Sequence, residues 1–121
     1  MSIVASILVA IVALLHVWFL ILEMVLWRRP LGLRTFGMTV EQAEATAVLA
    51  SNQGLYNGFL AAGLVVGLLT AGPTSFYFRV FFLSCVIVAG VFGAATVSRR
   101  ILFVQAVPAA VALAAVLVVG A

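Results

Sequence analysis

The chain has no lysine and no aspartate, and it has one histidine, one cysteine and three prolines in 121 residues. Charged residues make up 7% of it, against about 25% in ordinary globular proteins, and 67% of residues are hydrophobic. That imbalance excludes a water-soluble domain with catalytic loops and marks an integral membrane protein. The lone Cys85 excludes an intramolecular disulfide; midway along an apolar segment, it reads as a small packing residue. One histidine and no cysteine cluster do not complete a usual metal site, so neither a metal nor another cofactor is expected.

What is present is apolar sequence in long runs, with a mean hydropathy of +1.39. A span needs about 20 apolar residues, so the length allows four helices with short connections. The arginines and turn residues divide the chain into spans at about 3–27, 44–70, 76–97 and 101–120. The expected fold is an all-α membrane protein, a single domain over 1–121 forming a four-transmembrane-helix bundle. The first apolar run lacks a basic leader and ends in Trp27, Arg28 and Arg29 rather than a small-residue cleavage site, so it reads as a retained helix. Pro30, Gly32 and Gly37 argue against one continuous helix between Arg28 and Glu44. Thr39 followed by Gln42 is a capping-box pattern that starts the second long helix outside the membrane.

The net charge of +3 comes from six arginines against three glutamates. A basic pI raises nucleic acid as a partner, but these arginines flank apolar segments, so topology explains them and no nucleic acid is expected. Arg28, Arg29, Arg34, Arg99 and Arg100 lie at the first and third connections, and Arg79 lies by the second. Five against one places the first and third connections in the cytoplasm and both termini outside, in a multi-pass protein of a bacterial inner membrane.

Two titratable groups lie inside the first span. His16 and Glu23 are seven residues apart, nearly two helical turns, which puts them on one face about 10 Å apart along the axis. Such groups at bilayer depth are kept mainly where they face protein, water or a ligand. Counting inward from each cytoplasmic end places Asn52 between the two levels, Asn57 slightly deeper than His16, and Thr96 and Gln105 at the level of Glu23. Asn52 with Tyr56 and Gln53 with Asn57 are i,i+4 pairs, read as one polar face of the second helix. The ligand-binding or proton-carrying candidates are therefore His16, Glu23, Asn52, Gln53, Tyr56, Asn57 and Gln105. Arg28, Arg99 and Arg100 form a rim that suits an anion or a lipid headgroup. The bland alternatives are a Glu23 carboxylate paired to that rim, a His16 satisfied by Asn57 or a backbone carbonyl, and amides that only join helices. No catalytic residue can be assigned.

Gly54 with Gly58 and Gly63 with Gly67 repeat a small-xxx-small pattern, and Gly90, Gly93 and Ala94 supply another small surface. These faces suit close helix packing and offer a route to homo-oligomers. Phe76, Tyr77, Phe78, Phe81 and Phe82 read as an interfacial belt. Pro108 frees a backbone carbonyl in the fourth span, which kinks the helix or supplies an acceptor.

The order of EMVLWRRPLG, FGMT, LASNQGLYNGFLAAGL, FFLSCVIVAGVFGAATVSRR and ILFVQAVPA resembles the small bacterial integral-membrane family known as domain of unknown function thirteen-oh-four, over essentially the whole chain. The resemblance implies a compact four-helix inner-membrane protein in which His16, Glu23, Trp27, Asn52, Gln53, Asn57 and Gln105 match the pattern. It implies no activity.

Three functional classes remain. The preferred one is binding or transport of a small amphipathic or apolar molecule in a polar pocket in the cytoplasmic half of the bundle. A carboxylate on the first of four spans also looks like small multidrug-resistance exporters, although the arginine bias opposes their dual topology. The second is a membrane enzyme laid out like the membrane glutathione and eicosanoid enzymes; their arginine, asparagine and glutamate spacing is missing, since Val48 stands four before Asn52. The third is an accessory or structural subunit of a membrane complex.

Overall fold

The computed structural model describes residues 2–119, and every regular element among them is helical. In chain order these are α1 (Ile3–Met24), α2 (Pro30–Phe36), α3 (Val40–Leu69), α4 (Gly72–Thr96), a π-helical segment (Leu102–Ala106) and α5 (Val107–Val119). Three stretches are long and apolar enough to cross a membrane: Ile3–Met24, Gly72–Thr96 and Leu102–Val119. At 30 residues α3 has ample length, but Asn52, Gln53 and Asn57 interrupt its apolar run. Large apolar side chains point outward along these helices, as with Ile3, Ile7, Ile11 and Leu14 on α1 and Val88, Val91 and Phe92 on α4. An apolar exterior on this scale belongs in lipid.

The helix ends follow from local chemistry. Ser2 Oγ accepts from the Ala5 amide at 3.1 Å and caps the start of α1. Its end falls at Met24, three residues short of the expected Trp27. The residue before a proline is pushed out of the α region, and Arg29 is extended there (φ −84°, ψ 161°), so the chain turns between residues 25 and 29 and restarts with Pro30 in the first turn of α2. Gly37, at φ 62° and ψ 41°, closes α2 in the left-handed region. The capping box then forms in full: the Gln42 amide donates to Thr39 Oγ1 at 3.1 Å, and the Thr39 amide donates to Gln42 Oε1 at 3.0 Å. Consequently α3 begins at Val40, four residues before the expected span.

Pro108 acts one turn ahead of itself. A proline ring clashes with the carbonyl four residues earlier and offers no N–H, and here the helix answers by widening to π over Leu102–Ala106, where the Val107 amide bonds Leu102 O. Hydroxyls in the apolar helices return to their own backbone: half-buried Ser84 Oγ donates to Val80 O and exposed Thr96 Oγ1 to Phe92 O, each at 2.7 Å.

The chain divides into two compact units. Leu15–Phe59 forms one; the described residues on either side of it, 2–14 and 60–119, form the other. In the latter, Ala5, Val9 and Val12 of α1 pack with Leu64 of α3, Leu83 and Val86 of α4, and Ala109, Ala112 and Val116 of α5, all essentially without exposure. Small residues set the spacing. A Cβ on Gly90 would lie 2.6 Å from the Ala106 backbone nitrogen, so α4 and the π segment approach at backbone distance. Cys85 is half-buried and borders a shallow apolar hollow with Phe81, Val88 and Phe92.

Candidate functional site

Within Leu15–Phe59, the last turns of α1 meet the first half of α3. Side chains added at Gly54 or Gly58 would collide with α1: a Cβ at Gly54 would lie 2.5 Å from Met24 Cγ and 3.2 Å from Glu23 Cβ, and one at Gly58 would lie 2.8 Å from Leu20 Cδ1. The Gly54 and Gly58 pattern therefore serves a contact inside the chain. It brings α3 close enough for Asn57 Nδ2 to donate to Glu23 Oε1.

Asn57 is 5% exposed and Glu23 is half-buried, so the bond is shielded from water. Glu23 takes its hydrogen bond from an amide on the neighbouring helix; the alternative pairing with the arginine rim is not formed among the described residues. The depth expectation for Asn57 also needs correction, because Asn57 lies at the level of Glu23 rather than deeper than His16. Counting from Trp27 underestimates the depth of Glu23, since residues 25–29 turn rather than rise regularly: Trp27 bonds Ala43 and Thr46, whereas Met24 and Glu23 already stand opposite Gly54.

Beside Glu23 opens a cavity of about 460 Å³. Its walls combine Met24, Val25, Trp27, Ala47 and Val48 with the charged Arg28, Arg29 and Glu44 and with Ser51. Trp27 is fixed in this wall, its Nε1 donating to Ala43 O and Thr46 Oγ1, each at 3.1 Å, while its ring lies against Phe36 with centroids 4.8 Å apart. Tight packing beneath holds the turn: a Cβ at Gly32 would lie 2.0 Å from Leu26 O. The site thus presents a shielded carboxylate inside, both signs of charge at the mouth, and aliphatic and indole surface between them. That arrangement suits a molecule with a polar head and a short apolar body.

The other sequence candidates separate. His16 is fully buried on the stripe that carries Ala5, Val9 and Val12, with its ring edge-on to Phe19 at 5.1 Å, and it does not line the cavity. Asn52, Gln53 and Tyr56 are exposed rather than gathered around Glu23. Successive helical residues are about 100° apart, so the buried strip of α3 runs through Ala50, Gly54, Asn57 and Ala61, and Asn52 and Tyr56 point away from it. The expected single polar face is split because small residues, not amides, mark the inward side. Gln105 is half-buried in the π segment of the other unit. Arg28 borders the cavity, while Arg99 and Arg100 are exposed beyond α4.

Reading arginines only as topology markers misses Arg79. It is 2% exposed and lies on the inward stripe of α4 formed by Ser75, Arg79, Leu83, Val86 and Gly90. That i, i+4, i+8, i+11, i+15 spacing was the available signal.

A family model described as "Protein of unknown function (DUF1304)" matches residues 10–117. The chain belongs to this family. The match covers α1 from its third turn through nearly all of α5, and so most of both units and the Glu23 cavity. No curated protein and no solved structure matches the chain.

Proposed function

We propose that this DUF1304 member is a four-span protein of a bacterial inner membrane that binds a small amphipathic molecule in the cavity beside Glu23, with the polar head at the carboxylate. The observation that carries the reading is the shielded Glu23, bonded by Asn57, at a cavity whose walls are part apolar and part charged. Glu23 favours a ligand whose head carries a cationic or donor group, because one of its oxygens is engaged by Asn57 and a carboxylate has about four acceptor positions. In the four-span reading α3 is the additional crossing; at about 1.5 Å per residue its 30 residues exceed the roughly 30 Å of hydrocarbon. The arginine bias supports a cytoplasmic mouth, since Arg28, Arg29 and Arg34 cluster beside it. Binding of this kind is the first step of transport.

Trp27 supplies the assay. In a Trp18→Phe background, where Trp27 is the remaining tryptophan, hexylamine should change the fluorescence of the detergent-solubilised chain saturably. Hexanol and hexanoate should act more weakly, and Glu23→Gln should remove the preference for the amine. A response that is identical for the three compounds, or unaltered in Glu23→Gln, refutes the reading.

A further inference from the structure

Arg79 lies in the unit that Glu23 does not belong to, and its guanidinium is held in an orientation that leaves work undone. Nε donates to Ser75 O at 3.2 Å and to Ser75 Oγ at 3.1 Å, and Ser75 Oγ itself donates to Gly67 O at 2.6 Å. The stem is clamped as well: a Cβ on Gly67 would lie 2.8 Å from Arg79 Cγ. Nη1, in contrast, is buried with no hydrogen-bond partner among the described residues. A guanidinium cannot shed its charge, and an unpaired one out of water is costly.

No acidic side chain among the described residues of the surrounding unit can supply the counter-charge. The chain's three acidic side chains are Glu23, Glu41 and Glu44, all within Leu15–Phe59, whereas Arg79 belongs to the unit formed by the described residues 2–14 and 60–119. Depth indicates what replaces it. Arg79 follows Gly72 by seven residues, about 10 Å along the helix, and its bonds to Ser75 aim the side chain back towards the helix start. Exposed Tyr77 and Phe81 flank it, as aromatic residues do at the bilayer boundary. Where α4 spans the bilayer, this places the guanidinium within side-chain reach of the boundary at which lipid phosphates lie.

We infer that Arg79 is the anchor of a phosphate-binding site at the α3–α4 turn, with Ser75 engaging Nε so that the terminal nitrogens of the guanidinium are left for phosphate oxygens. The phosphate belongs to a phospholipid headgroup or to the free ion; both offer the same oxygens to the same fork.

Full-length wild type and Arg79→Gln, in a phosphate-free neutral detergent, are titrated with dioleoyl phosphatidylglycerol or with sodium phosphate and read by native mass spectrometry. Wild type should retain one phosphatidylglycerol, and Arg79→Gln should hold it about tenfold more weakly, the change one charge-assisted hydrogen bond carries. An Arg79-dependent adduct of inorganic phosphate that displaces the lipid identifies the free ion as the occupant. Adducts of equal strength in both chains, or none in either, overturn the site. If Arg79→Gln does not fold, Ser75→Ala decides: it keeps the charge but frees Nε from its side-chain acceptor, and unchanged retention overturns the assignment.

Discussion

Asn57 Nδ2 donates to Glu23 Oε1 across 34 residues of sequence, tying the last turn of α1 to the middle of α3. The two ends of this bond are not equivalent. Asn57→Leu leaves a shielded carboxylate without its donor and should destabilise the chain by about 1–3 kcal/mol. Glu23→Gln keeps an amide partner for Asn57 and should cost less, since side-chain bonds in membranes average only about 0.6 kcal/mol. Thermal unfolding in detergent of the two single variants and the double variant measures the difference. Equal losses, with no coupling between the sites, would remove the bond from the account of this packing.

Trp27 holds the wall of the cavity by its indole N–H as well as by its ring. Trp27→Phe preserves the aromatic contact with Phe36 and removes the donor to Ala43 O and Thr46 Oγ1, so it should cost about 0.5–1.5 kcal/mol. Thr46→Val should cost less, because Ala43 O still accepts. Thr39→Ala removes the cap of α3 and should cost about 0.5–2 kcal/mol. The ranking of the first two losses is the test; the reverse order would place the wall's stability in the Thr46 hydroxyl instead.

The glycines divide by what stands opposite them. Gly90→Ala drives a Cβ to within 2.6 Å of backbone at Ala106, which cannot swing aside, and should destabilise by about 1–3 kcal/mol. Gly63→Ala meets the ring of Phe82, a side chain that can rotate away, and should be milder. Gly37→Ala meets nothing within 4 Å but is forced to hold φ 62°, a strain of about 1–2 kcal/mol. Unfolding midpoints of the three variants in one detergent give the comparison.

These residues also show what the sequence could and could not reveal. Composition and run length disclosed a helical membrane protein, and the Thr39–Gln42 pattern located the start of α3 to the residue. Glu23 and Asn57 were visible as polar groups in apolar helices. Their pairing was not, because depth had to be counted through a turn whose geometry depends on Pro30 and on Gly32 packing against Leu26 O. Polarity also misidentified the inward side of α3, where Gly54 and Ala61 set the close approach and Asn52 turns outward. Arg79 escaped notice for the converse reason: its charge placed it with topology signals, while its helical spacing placed it among Leu83 and Val86.

That reassignment of Arg79 sharpens the topology prediction. The arginines that are exposed, Arg28, Arg29, Arg34, Arg99 and Arg100, all sit at the first and third connections, and the one at the second faces inward. The positive-inside rule then places both arginine-rich connections in the cytoplasm if α3 crosses the bilayer. Single cysteines at exposed Thr35, Thr74 and Ser98, in a Cys85→Ala background, report this directly. A membrane-impermeant maleimide should label Thr74→Cys in intact cells and label Thr35→Cys and Ser98→Cys only after lysis. Labelling of Thr35→Cys and Thr74→Cys from the same side means that α3 does not cross, which leaves three spans. Labelling of Thr35→Cys and Ser98→Cys from outside inverts the chain and moves the mouth of the Glu23 cavity to the opposite face.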